Sequence, residues 1–169
     1  YLREFLTDRR VVEQSPLIWW PILYSMVLTR RPKESAEKYR SIWTKAGSPL
    51  LVNTKLAAEA LQDELNKRGR QVEVVWALRY GNPAMVEALR DLRDRGFSRI
   101  VVLPMYPQYS AATSGTVFDV IAREFLQWRS IPALRFLQSF HDDPGYIAAV
   151  AESIRHFWRQ SEAGKPEKL

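Results

Sequence analysis

Cysteine is absent from the 169 residues, and histidine occurs only as His141 and His156. The first absence excludes disulfide frameworks, thiolate metal sites and cysteine nucleophiles together, and it fits a reducing compartment. There is no His-Glu-x-x-His helix, no serine-centred nucleophile elbow, no paired-carboxylate signal and no lysine-glycine pattern of a phosphate-binding P-loop. Long apolar runs are scarce as well. The uncharged stretch Gln14 to Thr29 carries Trp19, Trp20 and Tyr24, but Pro21 interrupts it, and it is shorter than the roughly 20 residues that cross a bilayer. The first residues, Tyr1-Leu-Arg-Glu-Phe-Leu-Thr-Asp8, place charges where an export signal has its apolar core.

What is present describes a globular domain. Hydrophobic residues make up 46% and charged residues 26%, which is enough apolar material for a core without a metal or disulfide staple. Acidic residues are the scarcer charge, 19 against 25 basic, and the net charge of +6 points to an anionic partner. The basic residues are scattered along the chain instead of forming a stripe with exposed aromatics, which argues against nucleic acid.

From Gln71 onward short apolar runs alternate with helical patterns, the signature of β-α-β units and an α/β fold with a parallel sheet flanked by helices. Val72 to Leu78 reads as a strand, and Asn82-Pro83 as the cap of a helix whose Met85, Leu89 and Leu92 share a face and which Gly96 closes. Arg99 to Met105 reads as a central strand buried on both faces. The loop Tyr106 to Gly115 leads into a helix with Val117, Ile121 and Phe125 toward the sheet. A third strand spans about Ala133 to Ser139, and a last helix runs from Tyr146 to about Gln160. The first seventy residues read as helices: Leu2 to Arg10, Pro16 to Leu28, Ser35 to Ala46, and a long one capped by Ser48-Pro49. Three strands are few for this class, so a further strand is expected before Tyr1.

Ligands of parallel α/β sheets sit at the carboxyl ends of strands, which singles out Arg79-Tyr80-Gly81, Tyr106 to Gly115, and Phe140 to Pro144. In the second loop the aromatic rings suit a flat ligand, and the hydroxyls and free amides at a helix start suit an anion; a packed connection is the plainer alternative. Arg30, Arg31, Lys33, Lys38, Arg40 and Lys45 follow the tryptophan segment directly. Such a junction fits a membrane surface or an apolar ligand with acidic edges, or simply a solvated basic helix. His141 beside Asp142 and Asp143 is conceivable as a metal ligand or general base, yet aspartates before a proline are ordinary turn residues.

Taken in order, several motifs resemble those of the ferrochelatases, which insert ferrous iron into protoporphyrin in the last step of haem synthesis. They are Leu2 to Arg10; Arg30-Arg31-Pro32 with Tyr39-Arg40 and Gly47-Ser48-Pro49-Leu50; Arg79-Tyr-Gly-Asn-Pro83; and, most distinctively, Leu103-Pro-Met-Tyr-Pro-Gln-Tyr-Ser-Ala-Ala-Thr-Ser-Gly115. The resemblance covers essentially the whole chain and implies a chelatase-like fold of flavodoxin-like topology. It implies residues 1–160 as the amino-terminal chelatase domain, lacking its first strand, and 161–169 as a polar linker toward a carboxyl-terminal domain that carries the metal-site histidine.

By the same resemblance Arg30, Arg31, Tyr39, Ser48 and Tyr106 meet the porphyrin or its propionates, with Arg79, Gln108 and Tyr109 as weaker transfers. No catalytic residue, metal ligand or bound cofactor is expected in this chain; Fe2+ and protoporphyrin IX are substrates. A cytoplasmic protein is expected, with peripheral contact at the inner face of the membrane. The alternative reading is a non-catalytic tetrapyrrole or membrane-surface binding module.

Overall fold

A computed structural model of the chain describes residues 1–160, except the side chains at 30, 33 and 34. The expected 161–169 linker lies outside the described residues. Helix and strand mix as the alternating pattern requires. Strands β1 (Arg99–Val102) and β2 (Ala133–Phe136) pair in parallel, with Arg99 opposite Ala133 and Val102 opposite Phe136. Helices α5 (Met85–Asp94) and α6 (Thr116–Phe125) close one face of this sheet. The core lies between them: Leu89, Val117, Val120, Ile121 and Trp128 are buried, and Val102, Leu134 and Phe136 reach in from the strands.

The other face is open, which corrects the expectation of a central strand buried on both sides. Val101 is 64% exposed and Arg135 also points outward. Alternation on a pleated strand sends Ile100 and Val102 to one face and Val101 to the other, and among the described residues helices cover only the first. The final helix α7 (Pro144–Gln160) forms as expected but has no buried residue.

Val72 to Leu78 is not a strand. Among the described residues its only pairing is a bridge between Leu78 and Ala84. A ladder needs a neighbour, and here the Gln62 side chain of α4 (Pro49–Lys67) substitutes for one: it accepts from Val74 N at 2.7 Å and donates to the Val72 carbonyl at 2.8 Å. The Asn82-Pro83 cap is also displaced. Leu78 N donates to the Pro83 carbonyl and Met85 N to the Leu78 carbonyl, so the cis Asn82-Pro83 peptide belongs to a closed turn and the helix begins two residues later, at Met85.

The amino-terminal helices differ from the expectation in their bounds: the first ends at Thr7 instead of Arg10, and the one expected to reach Ala46 ends at Ser41. Short α1 (Leu2–Thr7) is followed by α2 (Pro16–Ile22), a π turn at Leu23–Val27 and α3 (Leu28–Ser41), and the last three run on without the expected break before Ser35. Pro21 and Pro32 both lie inside this run. Proline has no N–H to give to the helical ladder, and a wide π turn lies between the two. Gly47 ends the segment in a tight reversal: Thr44 and Gly47 exchange N–H to carbonyl bonds at 3.0 Å, and its φ of +116° is open only to glycine at little cost. Ser48 then precedes α4 with Pro49 as its first helical residue.

Candidate functional site

The three loops after the extended segments come together at one end of the sheet. Leu137 N bonds the Val102 carbonyl at 3.0 Å, and Phe140 N bonds the Pro107 carbonyl at 2.9 Å, so the third loop is tied to the second. The first loop is tied to the amino-terminal helices by Asp8, a carboxylate with almost no exposure. One of its oxygens accepts from Arg10 N at 2.9 Å. The other accepts from the Arg79 guanidinium and, at 3.0 Å, from the Tyr80 hydroxyl.

Arg79 is thereby turned inward. Its Nε also donates to the Thr116 carbonyl at 2.9 Å, and its guanidinium lies 4.2 Å from the Tyr80 ring centre. The structure gives this arginine the work of joining two loops and a helix. Tyr80 carries an aromatic cluster on its other side, meeting Phe5 edge-on at 5.3 Å and Tyr1 edge-on at 6.1 Å. Burial pushes the Tyr80 phenol up to about 12, and the hydrogen bond to Asp8 adds to this against the pull of Thr116 and Arg79.

The phenol of Tyr1, which stands just before α1, is raised first by burial and then by the phenols of Tyr39 and Tyr106. Of the five residues singled out in the sequence, Tyr39 on α3 and Tyr106 on the loop after β1 are both exposed. Arg30 and Arg31 lie on α3 with Tyr39; the Arg31 side chain is exposed, and that of residue 30 is outside the described residues. Ser48 is half-buried and makes no side-chain cap bond to α4, which leaves its hydroxyl uncommitted to the helix.

The loop hydroxyls are mostly engaged. Ser110 N donates to Thr113 Oγ1 at 3.2 Å and the two hydroxyls bond each other at 2.8 Å, a reciprocal cap of the π turn Ala111–Gly115 that opens α6. Capping their own turn satisfies these two hydroxyls locally. Thr116 Oγ1 donates to the Thr113 carbonyl at 2.8 Å, while buried Ser114 Oγ has no partner among the described residues. Gln108 and Tyr109 are exposed on the loop. His141 is exposed in its turn, where Asp143 accepts from Tyr146 N at 3.0 Å and so caps α7. Among the described residues no group of three or more histidine, aspartate or glutamate side chains is placed to hold a metal.

Sequence reasoning missed Asp8, Arg10 and Asp119. Arg10 grips Asp119 of α6 through both oxygens, Nε to Oδ2 at 2.6 Å and Nη2 to Oδ1 at 2.7 Å. The only trace in the sequence is the charged run Asp8-Arg9-Arg10 inside the first motif. The two tryptophans also separate. Trp19 donates its indole N–H to the Leu6 carbonyl at 2.8 Å and lines a cavity of about 140 Å3 with Leu6, Val12 and Trp20, whereas Trp20 and its neighbour Leu17 face outward, 53% and 88% exposed. No described helix is long and apolar enough to cross a membrane.

Comparison with known proteins converges on one family. The ferrochelatase family model matches residues 1–169. A ferrochelatase of Methylococcus capsulatus is 51% identical over 169 residues, one of Teredinibacter turnerae 47% over 170, and the protein called ferrochelatase 2 of Shewanella oneidensis 48% over 169. In each case all of this chain is covered, against 50%, 46% and 51% of the relative, so the chain spans about half the length of the curated relatives it matches. With its motif order, its α/β fold and matches along its whole length, the chain belongs to the ferrochelatase family.

Proposed function

We propose that these residues form the porphyrin-binding part of an enzyme that inserts ferrous iron into protoporphyrin IX to give protohaem, the last step of haem synthesis. What carries this reading is the family match along the whole chain, together with the exposed Tyr39 on the basic helix α3 and the exposed Tyr106 on the loop after β1. A flat apolar macrocycle with two carboxylates on its edge asks for aromatic surface and planar cations. Tyr39 and Tyr106 supply the first; Arg30 and Arg31 pair with the propionates, and the Ser48 hydroxyl is free to donate to one. Iron is a substrate. As the ion enters, the two N–H pyrrole nitrogens lose their protons, so the reaction needs a base and a ring bent to expose its nitrogens. That base and the iron-handling groups are assigned to the carboxyl-terminal domain expected from the resemblance.

Protoporphyrin is poorly soluble, and the outward-facing Leu17, Ile18, Trp20 and Met26 followed by a basic helix suit collection of such a substrate from a bilayer surface. A cytoplasmic protein with peripheral contact at the inner face of the membrane fits this arrangement.

Titration of the 169-residue chain with protoporphyrin, followed by fluorescence quenching, tests the reading. Saturable quenching weakened by Arg30→Ala/Arg31→Ala supports it; unchanged affinity in that double variant removes the arginines from the site. Metal-dependent turnover by the chain joined to the rest of its polypeptide separates an enzyme from a tetrapyrrole-binding module.

A further inference from the structure

Gly115 has φ −62° and ψ −43°, a helical conformation open to every residue. What sets the position apart is the crowding around its Cα. A Cβ at this position would lie 3.2 Å from Arg10 Nη1, 3.3 Å from Arg10 Cδ and 3.4 Å from the Tyr109 hydroxyl, so the bare Cα is the seat on which both side chains rest. Arg10 is held on this seat from the far side. Its Nε and Nη2 are both committed to Asp119, one turn into α6, and its backbone N–H is committed to Asp8. A rigid planar fork anchored at two points leaves its third nitrogen little freedom, and that nitrogen and the Tyr109 hydroxyl both border the space a Cβ on Gly115 would fill.

We propose that Arg10 is a positioning residue: through its clamp on Asp119 and its seat on Gly115 it fixes the place of Tyr109, and with it the loop wall that faces the candidate tetrapyrrole site. The tetrapyrrole half of this inference rests on the function proposed above; the positioning half does not. Arg10 itself need not touch the ligand. Its effect on binding passes through Tyr109, so the two residues are energetically coupled, and lysine cannot replace arginine because an ammonium has no fork to hold both Asp119 oxygens.

The test uses the full 169-residue chain with 3-fluorotyrosine placed at position 109, read by fluorine NMR without ligand and by protoporphyrin quenching. Arg10→Met and Arg10→Lys are both expected to move the fluorine resonance and to weaken porphyrin binding by about threefold to tenfold. The double variant Arg10→Met/Tyr109→Ala is expected to bind no worse than Tyr109→Ala alone. An unmoved resonance in Arg10→Met, rescue by lysine, or losses that add in full would overturn the proposal. If Arg10→Met does not fold, Asp119→Asn loosens the clamp at constant side-chain size and carries the same expectations. If the unsubstituted chain fails to quench while the resonance still answers to Arg10, positioning stands and the tetrapyrrole reading falls.

Discussion

Arg90 on α5 holds both carboxylate oxygens of Glu124 on α6, at 2.9 and 3.0 Å, with the carboxylate buried and the guanidinium half open to water. The pair fastens the two helices that cover the sheet. Arg90→Ala leaves a buried carboxylate without its partner, and about 1–2 kcal/mol of stability is expected to be lost, less than the roughly 3–5 kcal/mol for a fully buried pair because water reaches the Arg90 side. Urea denaturation measures this. Arg90→Met/Glu124→Leu is expected to recover most of the loss, since it removes the stranded charge as well.

Stability at alkaline pH is expected to depend on Tyr80. Its phenol is raised to about 12 in the fold, against about 10 in an unfolded chain. A raised value means that the folded state keeps a proton the unfolded state gives up, so the contribution is complete below about pH 10 and fades as pH rises toward 12. Tyr80→Phe is expected to flatten that part of the stability profile, and absorbance titration of the native chain is expected to show a phenol ionising late.

The acid limb is expected to depend on Asp119, whose carboxyl is lowered first by the hydrogen bonds from Arg10 and further by the neighbouring charges of Arg10, Arg123 and Arg79. A lowered value contributes stability above the ordinary aspartate range of about 3.9 and loses it as pH falls through the folded value. Asp119→Asn is therefore expected to be less stable than the parent at pH 7 and to lose less on acidification below about pH 4. Parallel profiles for parent and variant would contradict the assignment.

Vesicle flotation with anionic phospholipid is expected to separate the outward residues of α2 from the inward one. Leu17→Ser/Trp20→Ser removes exposed apolar surface and is expected to reduce flotation with little change in stability. Trp19→Phe deletes the indole bond to the Leu6 carbonyl and is expected to cost about 1 kcal/mol of stability while leaving flotation unchanged.

The sequence by itself determined the α/β class, the helices Pro49–Lys67, Met85–Asp94 and Pro144–Gln160, and the inward face Val117, Ile121 and Phe125, because these follow from periodicity and local turn residues within a few positions. Its ordered motifs also identified the family and drew attention to Tyr39 and Tyr106. Tertiary structure decided the rest. Whether Val72 to Leu78 becomes a strand depends on a neighbour to pair with, and whether Val101 is covered depends on a second layer; neither is a property of the segment itself. Arg79 looks the same in sequence whether it meets a ligand or Asp8, and 71 residues separate that pair. Arg10 and Asp119 are 109 residues apart, so only the folded chain brings their charges together, and only there does the absence of a side chain at Gly115 acquire a purpose.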